Sequence, residues 1–205
     1  MTAFQFPDVR LRKLNAYHDS RGYFLETYRQ AQACWHTGTV LPDAKSSKAV
    51  ATETTKRAAN TAVVFVQDNL SKSKQGVLRG LHYQQKNPQG KLVQVLDGNI
   101  YDVVVDVRCQ SSTFGRWQGF QLSSQQPQQL WVPPGFAHGF LVLSKTALVL
   151  YKCTAYYHAD DEVCLAWNDP DVGISWPTSR PTLSHKDQQA LSLQSIKAQQ
   201  RCIAC

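Results

Sequence analysis

The sequence has no run of five or more consecutive lysines and arginines, and no basic helical stretch with interleaved aromatic residues. Nucleic-acid-binding proteins commonly contact phosphate backbones through such patterns, so we expect no nucleic-acid partner. The chain still carries a net charge of +7, because 22 Lys and Arg stand against 15 Asp and Glu. One or two well-placed arginines suffice to bind a small phosphorylated ligand, and that ligand class suits the charge.

Long apolar segments are also missing. No stretch approaches the roughly 18 apolar residues that cross a membrane. The first residues, MTAFQFPDVRLRK, hold no apolar core of the kind that signal peptides have. We therefore expect no membrane association and a cytoplasmic location.

The six cysteines are expected to remain reduced in that compartment. Cys153 and Cys164 lie in predicted strands and are expected to be buried. Cys202 and Cys205 form a CxxC pair without the second pair that a zinc site requires, so we interpret them as part of an ordinary tail. The other two cysteines are at positions 34 and 109.

The chain has no internal repeats, and its 205 residues fit one domain, residues 1–205. Between residues 61 and 176, valine and aromatic runs recur about every ten residues and are separated by turns, which is typical of a β-sandwich or barrel. The fold is therefore predicted to be all-β with few helices. Strands are predicted at 91–96, 99–108, 117–122, 129–132, 138–143, 147–156 and 163–167.

Two turns stand out among these strands. Asp97-Gly98 is a two-residue hairpin signal, which predicts that strand 99–108 pairs with strand 91–96. Pro133-Pro134-Gly135 must be a turn, because two prolines cannot serve a central sheet. Within 99–108, Tyr101, Val103, Val105 and Val107 share one face, and Asp102, Val104 and Asp106 share the other.

The two ends of the chain differ from this middle. Residues 23–35 are predicted to hold a strand and a short helix. Residues 42–60 are polar and poor in aromatic residues, which predicts a flexible surface loop. The segment after Ser184 is rich in helix-forming residues and is expected to pack weakly.

Polar residues concentrate between Gln67 and Gln84, where Arg79 and His82 flank Gly80. Gly80 would let a ligand approach the backbone, and Arg79 could bind phosphate oxygens through its two-pronged guanidinium group. An isolated histidine, however, is more often a hydrogen-bonded core residue than a functional group.

Lys91 has the same strand parity as Val93 and Val95, so it is predicted to point toward the interior. A lysine inside a barrel is costly unless it meets an anion or a developing negative charge. At the mouth of a barrel it could instead extend its ammonium group to water.

His138 shares its strand face with Phe140 and Val142, and Asp102 could orient it through a carboxylate–imidazole hydrogen bond. Tyr151 shares a face with Val149. A buried tyrosine whose hydroxyl reaches a cavity can act as an acid, although most strand tyrosines only pack.

Related barrels hold a metal ion through a His-x-His pair, a later acid and a distant histidine. Here His82 is followed by Tyr83 and Gln84, so the His-x-His pair is missing, and only His138 matches the distant ligand. Two missing ligands of four leave a poor site, so no metal ion is expected.

Taken in order, the segments GVLRGLHYQ, GKLVQVLDGNIYDVVVDVR, TFGRW, WVPPGFAHGFLVLS, LYKCTAYY and LSHKD resemble the dTDP-4-dehydrorhamnose 3,5-epimerase family. The resemblance covers about residues 19–187. It implies a metal-independent, cupin-type jelly-roll barrel with a few short peripheral helices, which works as a homodimer without a cofactor. The implied substrate is dTDP-4-dehydro-6-deoxy-D-glucose, and the product is dTDP-4-dehydro-L-rhamnose.

The resemblance also assigns roles to individual residues. By motif position, His82 is the general base and Asp187 orients it. Lys91 faces the enolate oxygen, and Tyr151 is the acid opposite the base. The implied substrate contacts are Arg21, Glu26, Gln67, Asp68, Asn69, Arg79, His138, Glu162 and Lys186.

Elementary chemistry agrees with these roles, because a carbon acid beside a ketone needs a base and a stabilised enolate. The runner-up is a single-centre epimerase or ketoisomerase on a related nucleotide-linked 4-keto-6-deoxysugar. A metal-dependent cupin oxygenase and a non-catalytic sugar-nucleotide-binding module are more distant alternatives. Compared with the family, residues 44–60 resemble a flexible surface insertion and residues 188–205 a short tail, and the insertion leaves the nucleotide preference open.

Overall fold

Short strands joined by tight turns form most of the computed structural model, which describes residues 6–30 and 63–204. Within these ranges there are two short α-helices, α1 (His185–Gln188) and α2 (Leu193–Ala198), and a 3-10 turn at Ala159–Asp161. The strands are β1 (Arg10–Lys13), β2 (Ala16–Asp19), β3 (Gly22–Leu25), β4 (Gln67–Lys74), β5 (Leu78–Gln84), β6 (Lys91–Asp97), β7 (Asn99–Asp106), β8 (Trp117–Ser123), β9 (Gln128–Val132), β10 (Phe136–Val142), β11 (Thr146–Cys153) and β12 (Glu162–Cys164).

The strands assemble into two five-stranded antiparallel sheets. The first sheet has the order β1-β9-β6-β11-β4, the second has the order β12-β5-β10-β7-β8, and β2 and β3 form a separate hairpin. Consecutive strands from β4 to β12 alternate between the two sheets, as in a jelly roll, except that β7 and β8 are paired neighbours in the second sheet. The predicted all-β jelly roll with few short helices is confirmed.

The main core lies between the two sheets, where alternate residues of facing strands meet. Val93 and Val149 from the first sheet pack with Val104 and Phe140 from the second. The opposite face of β7 presents Val103 and Val105 to a second apolar cluster outside the sandwich. The face assignment predicted for 99–108 is therefore confirmed.

The predicted hairpin across Asp97-Gly98 is wrong. β6 pairs with β9 and β11, whereas β7 pairs with β10 and β8. Gly98 does adopt a left-handed conformation (φ 81°), but the chain uses it to pass from one sheet to the other. A Cβ at Gly98 would lie 2.2 Å from the carbonyl oxygen of Thr146, so the crossing requires glycine. A two-residue turn signal does not specify which strand becomes the partner.

The C-terminal segment packs more tightly than expected. Ile196 is fully buried, and Leu193 and Ile203 are nearly so, in the cluster that covers the outer face of the second sheet. The backbone of Ile203 also donates to the carbonyl of Val107. The prediction of a weakly packed tail is wrong, because the apolar outer face of β7 needs a cover that local composition does not reveal.

Cys109 and Cys202 form a disulfide between the end of β7 and the C-terminal segment, with their Cα atoms 5.4 Å apart. The expectation that all cysteines stay reduced is therefore wrong for this pair. Cys153 is a free, buried strand cysteine as predicted, and Cys164 is free and half-buried. The sequence could not reveal a pair separated by 93 positions, because the pairing follows from how the tail docks.

The surface loop predicted at 42–60, the helical part of 23–35, Cys34 and Cys205 lie outside the described residues. Both α-helices of residues 6–30 and 63–204 are far shorter than the segment needed to span a bilayer.

Candidate active site

A cavity of about 900 Å³ opens between β4, β5, β6, β10 and β11, and α1 closes one side. Most of the residues predicted to form the site meet there, although they come from distant parts of the sequence. The predicted residues that line it are Gln67, Asn69, Arg79, His82, Lys91, His138, Tyr151, Glu162, Lys186 and Asp187.

His82 and Asp187 form a short polar contact in the cavity, with Nε2 of His82 2.6 Å from Oδ1 of Asp187. Ser184 caps α1 and donates its hydroxyl to Oδ2 of Asp187 at 2.7 Å. Burial raises the pKa of Asp187, but the hydrogen bonds from His82 and Ser184 outweigh burial and hold that pKa below its ordinary value. The ionised carboxylate thus accepts a hydrogen bond from the Nε2–H group of His82, and Nδ1 of His82 is left available as a base.

The second histidine of the cavity is directly opposite the first. β10 pairs with β5 so that His138 faces His82 in register. The two strands approach so closely at Gly80 (φ 113°) that a Cβ there would lie 2.7 Å from the Cα of Gly139. The space beside Gly80, which was expected to admit a ligand, is therefore filled by the backbone of β10.

His138 is held from behind by a buried carboxylate, as the strand parity suggested. Its Nε2 lies 2.9 Å from Oδ2 of Asp102, and Asp102 has no exposed surface. This contact fixes the orientation of the imidazole ring at the cavity wall.

Lys91 points into the cavity, as its parity with Val93 and Val95 predicted, and only 9% of its surface is exposed. Its ammonium group donates to the carbonyl oxygen of His82 at 3.3 Å. Burial lowers the pKa of Lys91 below its ordinary value, although neighbouring acidic groups act in the opposite direction. A negative charge that develops on a bound ligand beside this amine would favour its protonated form and be stabilised by it.

Tyr151 lines the cavity from β11 and packs against the main core. Burial raises the pKa of its phenol, and the nearby Cys153 adds to that shift. The hydroxyl is therefore protonated at neutral pH and can donate a proton.

The rim of the cavity is richly charged. The ammonium group of Lys186 contacts Glu162, and Nε of Arg79 donates to Oγ of Ser73 at 2.9 Å. Gln67 and Asn69 follow each other on the inner face of β4 and are joined by a hydrogen bond of 3.0 Å. Such groups suit a ligand that carries both hydroxyl groups and phosphates.

Three of the predicted substrate contacts do not line this cavity. Arg21 is in an exposed ion pair with Asp19 on the β2–β3 hairpin, and Glu26 pairs with Arg29 just after it. Asp68 points to the opposite face of β4 from Gln67 and Asn69, and it pairs with Lys152 at 2.8 Å. Strand alternation alone would have separated Asp68 from its neighbours.

Sequence reasoning missed several residues of the cavity. Cys153 follows Tyr151 at a spacing of two on β11, so parity could have placed it there. Tyr157 also lines the cavity and donates its hydroxyl to Glu162 at 3.1 Å. Ser184 could be assigned to the site only from the position of α1, whose N-terminus it caps.

The fold and this site together define a class: a jelly-roll isomerase whose imidazole–carboxylate pair, lysine and tyrosine are arranged for proton transfer. Comparison with known proteins gives the family. The sequence model of the dTDP-4-dehydrorhamnose 3,5-epimerase family matches residues 39–195, and the chain belongs to that family.

Similar proteins agree with this result. A dTDP-4-dehydrorhamnose 3,5-epimerase from Pseudomonas aeruginosa is 43% identical over 92% of this chain and 92% of its own length. One from Neisseria gonorrhoeae is 48% identical over 88% of this chain, which spans about half (48%) of that relative. The crystal structure of dTDP-6-deoxy-D-glucose-3,5-epimerase from Legionella pneumophila in complex with dTDP-4-keto-L-rhamnose has a TM-score of 0.80 at 38% identity, covering 99% of this chain and 96% of that one.

Proposed function

We propose that this protein epimerises C3 and C5 of dTDP-4-dehydro-6-deoxy-D-glucose to give dTDP-4-dehydro-L-rhamnose, by proton transfer and without a metal ion or cofactor. The observation that carries the proposal is the 2.6 Å contact between His82 and Asp187, in a cavity that also holds Lys91 and Tyr151. These are the four groups that inversion beside a ketone requires.

The first step is removal of the proton on the carbon beside the keto group. His82 accepts that proton at Nδ1, because Asp187 holds the proton on Nε2. The electron pair of the broken C–H bond moves into the ring, and the C4 ketone becomes an enolate. The ammonium group of Lys91 stabilises the enolate oxygen in a site drier than bulk water.

Inversion needs a proton delivered to the other face of the same carbon. Tyr151 is the donor, since its buried phenol is protonated at neutral pH. The enolate collapses to the ketone as the new C–H bond forms. Because C3 and C5 both flank C4, the same base and acid can serve both centres after the sugar ring has shifted.

The diphosphate and sugar hydroxyls are assigned to the charged rim. Arg79 and Lys186 provide the positive charge for the phosphates, and His138 and Glu162 contact the sugar. Gln67 and Asn69 contact the nucleotide side. Charge-assisted hydrogen bonds of this kind fix the register of the sugar above His82.

A homodimer would account for the position of two of the three predicted contacts that lie outside the cavity. Arg21 and Glu26 are outside the cavity of their own chain, on and just after an exposed hairpin that also presents Tyr23 and Phe24 with more than half of their surface accessible. Burial of these aromatic residues against a second copy would favour association. The hairpin of one copy then delivers Arg21 and Glu26 to the cavity of the other.

We test the reaction with a proton NMR time course of the substrate and purified protein in heavy water. Loss of the C3 and C5 signals, with appearance of the L-rhamno product, is expected. The His82→Ala protein, checked for native folding by circular dichroism, is expected to leave both signals intact. Exchange at one carbon only would replace the proposal with a single-centre epimerase, and exchange at neither would replace it with a binding module.

A chelator separates the proposal from a metal-dependent oxygenase. The exchange rate is expected to be unchanged after incubation with EDTA. Loss of activity with EDTA and recovery with iron would favour the oxygenase.

The cytoplasm is the proposed location, because the proposed substrate is a nucleotide-linked sugar; the Cys109–Cys202 disulfide, a bond that is uncommon in that compartment, is the observation against it. Cell fractionation checks it, and recovery of the protein from the periplasmic or secreted fraction would contradict it.

A further inference from the structure

We propose that a thiophilic divalent cation such as Zn²⁺ binds between His82, Cys164 and Asp187, and that it inhibits the enzyme by occupying its general base. The metal site is inferred from geometry alone. Only its inhibitory consequence rests on the proposed function.

The geometry brings three different ligand types together. One ligand atom each from His82, Cys164 and Asp187 can be chosen so that all lie within 4.8 Å of one another. β12 pairs with β5 so that Cys164 and His82 are directly opposite in register. Asp187 reaches the same point from α1, with its Oδ1 2.6 Å from Nε2 of His82.

An imidazole, a thiolate and a carboxylate suit zinc. Zinc binds these groups at about 2.0–2.3 Å in tetrahedral geometry, and three protein ligands with an open fourth position are common. The thiolate selects such a cation over Mg²⁺ or Ca²⁺, which prefer oxygen ligands. Binding would displace the proton shared by His82 and Asp187 and release the thiol proton of Cys164.

The surrounding charges are compatible with a cation at this point. Oε1 of Glu162 lies 3.8 Å from Nδ1 of His82 and adds a further negative charge. Lys186 is also near, but its ammonium group contacts Glu162. The site is distinct from a His-x-His barrel site, since the sequence lacks that pair and Cys164 takes part instead.

Inhibition follows from the shared ligands. A coordinated His82 has lost the hydrogen bond to Asp187 that orients it, and a coordinated Asp187 can no longer hold the imidazole proton. The proton on the substrate then has no acceptor. Mg²⁺ and Ca²⁺ are expected to have no effect at the same concentrations.

Cobalt provides a test of the site that needs no activity. Co²⁺ is added to the wild-type protein, to Cys164→Ser and to Cys153→Ser, which removes the other free cysteine of residues 6–30 and 63–204, one that lines the cavity. A thiolate-to-cobalt charge-transfer band in the near ultraviolet is expected for the wild type. The diagnostic signal is the part of that band that disappears in Cys164→Ser and remains in Cys153→Ser.

Zinc inhibition is then measured in the exchange assay, with each protein normalised to its own rate without zinc. The zinc concentration for half-inhibition is expected to rise at least tenfold in Cys164→Ser and to stay within twofold in Cys153→Ser. A cobalt band or a zinc inhibition curve that is the same in Cys164→Ser as in the wild type would overturn the proposal. Failure of the proposed function has a different signature, because the Cys164-dependent cobalt band would persist in a protein without epimerase activity.

Discussion

His82 and Asp187 are 105 positions apart in the sequence, yet their Nε2 and Oδ1 atoms are 2.6 Å apart. β5 supplies the histidine, and the first turn of α1 supplies the carboxylate. Ser184 links the helix cap to the catalytic carboxylate. Its hydroxyl accepts a hydrogen bond from the backbone N–H of Asp187 and donates one to the side chain of the same residue. The helix cap thereby becomes part of the active site.

Replacement of Asp187 with Asn is expected to lower kcat about 10²-fold or more, because the imidazole loses the acceptor that fixes its tautomer. KM is expected to change less than about threefold. Steady-state kinetics provide the measurement. The control is Ser192→Ala, which removes the corresponding cap of α2 and costs about 1 kcal/mol of stability without reaching the cavity. Equal kcat losses in the two variants would make the role of Asp187 merely structural.

In Tyr151→Phe, deuterium exchange at C3 and C5 is expected to continue while net inversion falls at least about tenfold. His82 still removes the proton, but the opposite face has lost its donor. Mass spectrometry of recovered substrate and product separates exchange from inversion. Tyr101→Phe, on the outer face of the second sheet, is the control with normal inversion. Normal inversion in Tyr151→Phe would assign the acid to another group.

Lys91→Met is expected to reduce exchange at least about 10²-fold, since the enolate loses its cation. The free energy of unfolding should stay equal or rise, because a buried ammonium group is replaced by an apolar side chain of similar size. Denaturant titration and the exchange assay measure the two effects. Lys145→Met, in the exposed turn between β10 and β11, should change neither. A marked loss of stability in Lys91→Met would indicate a structural lysine.

Acid should weaken the fold through Asp106. Burial raises the pKa of this carboxyl, but hydrogen bonds from Arg108, Ser111 and Thr113 outweigh it and hold the pKa below its ordinary value. The stabilisation is fully present above the unfolded-state pKa of about 3.9 and is lost as the pH falls through the lower folded-state pKa.

Asp106→Asn should lower the free energy of unfolding by at least about 2 kcal/mol at pH 7, and by less at pH 3. Urea titrations at both pH values check this difference, with Asp8→Asn as a control at the exposed partner of Arg108. An equal loss of unfolding free energy at pH 7 and pH 3 would show that the ionised carboxylate of Asp106 is not the source of the acid sensitivity.

The bond between Cys109 and Cys202 should be detectable by thiol titration of the denatured protein. Reduction is expected to expose two additional thiols, and Cys202→Ser should lower the free energy of unfolding by about 2–4 kcal/mol. An unchanged thiol count after reduction would show that the cysteines remain free in the purified protein.

Alternation along each strand was readable from the sequence, because side chains in a strand alternate between two faces whatever the strand pairs with. Lys91, His138 and Tyr151 were therefore correctly turned toward the interior, and the parity of β7 correctly divided its residues between two faces. The same rule, applied to β4, could have turned Asp68 away from Gln67 and Asn69.

Which distant segments pair with each other was decided only by the tertiary structure. The Asp97-Gly98 turn specified a change of direction, but the packing of two sheets decided that β6 and β7 would separate. The pairing of Cys109 with Cys202 depended on an apolar outer face that the tail covers. The order of motifs in the chain indicated the family, and with it the association of His82 with Asp187. Their contact exists because α1 docks beside β5, and no local pattern encodes a distance between segments that meet only when the core is formed.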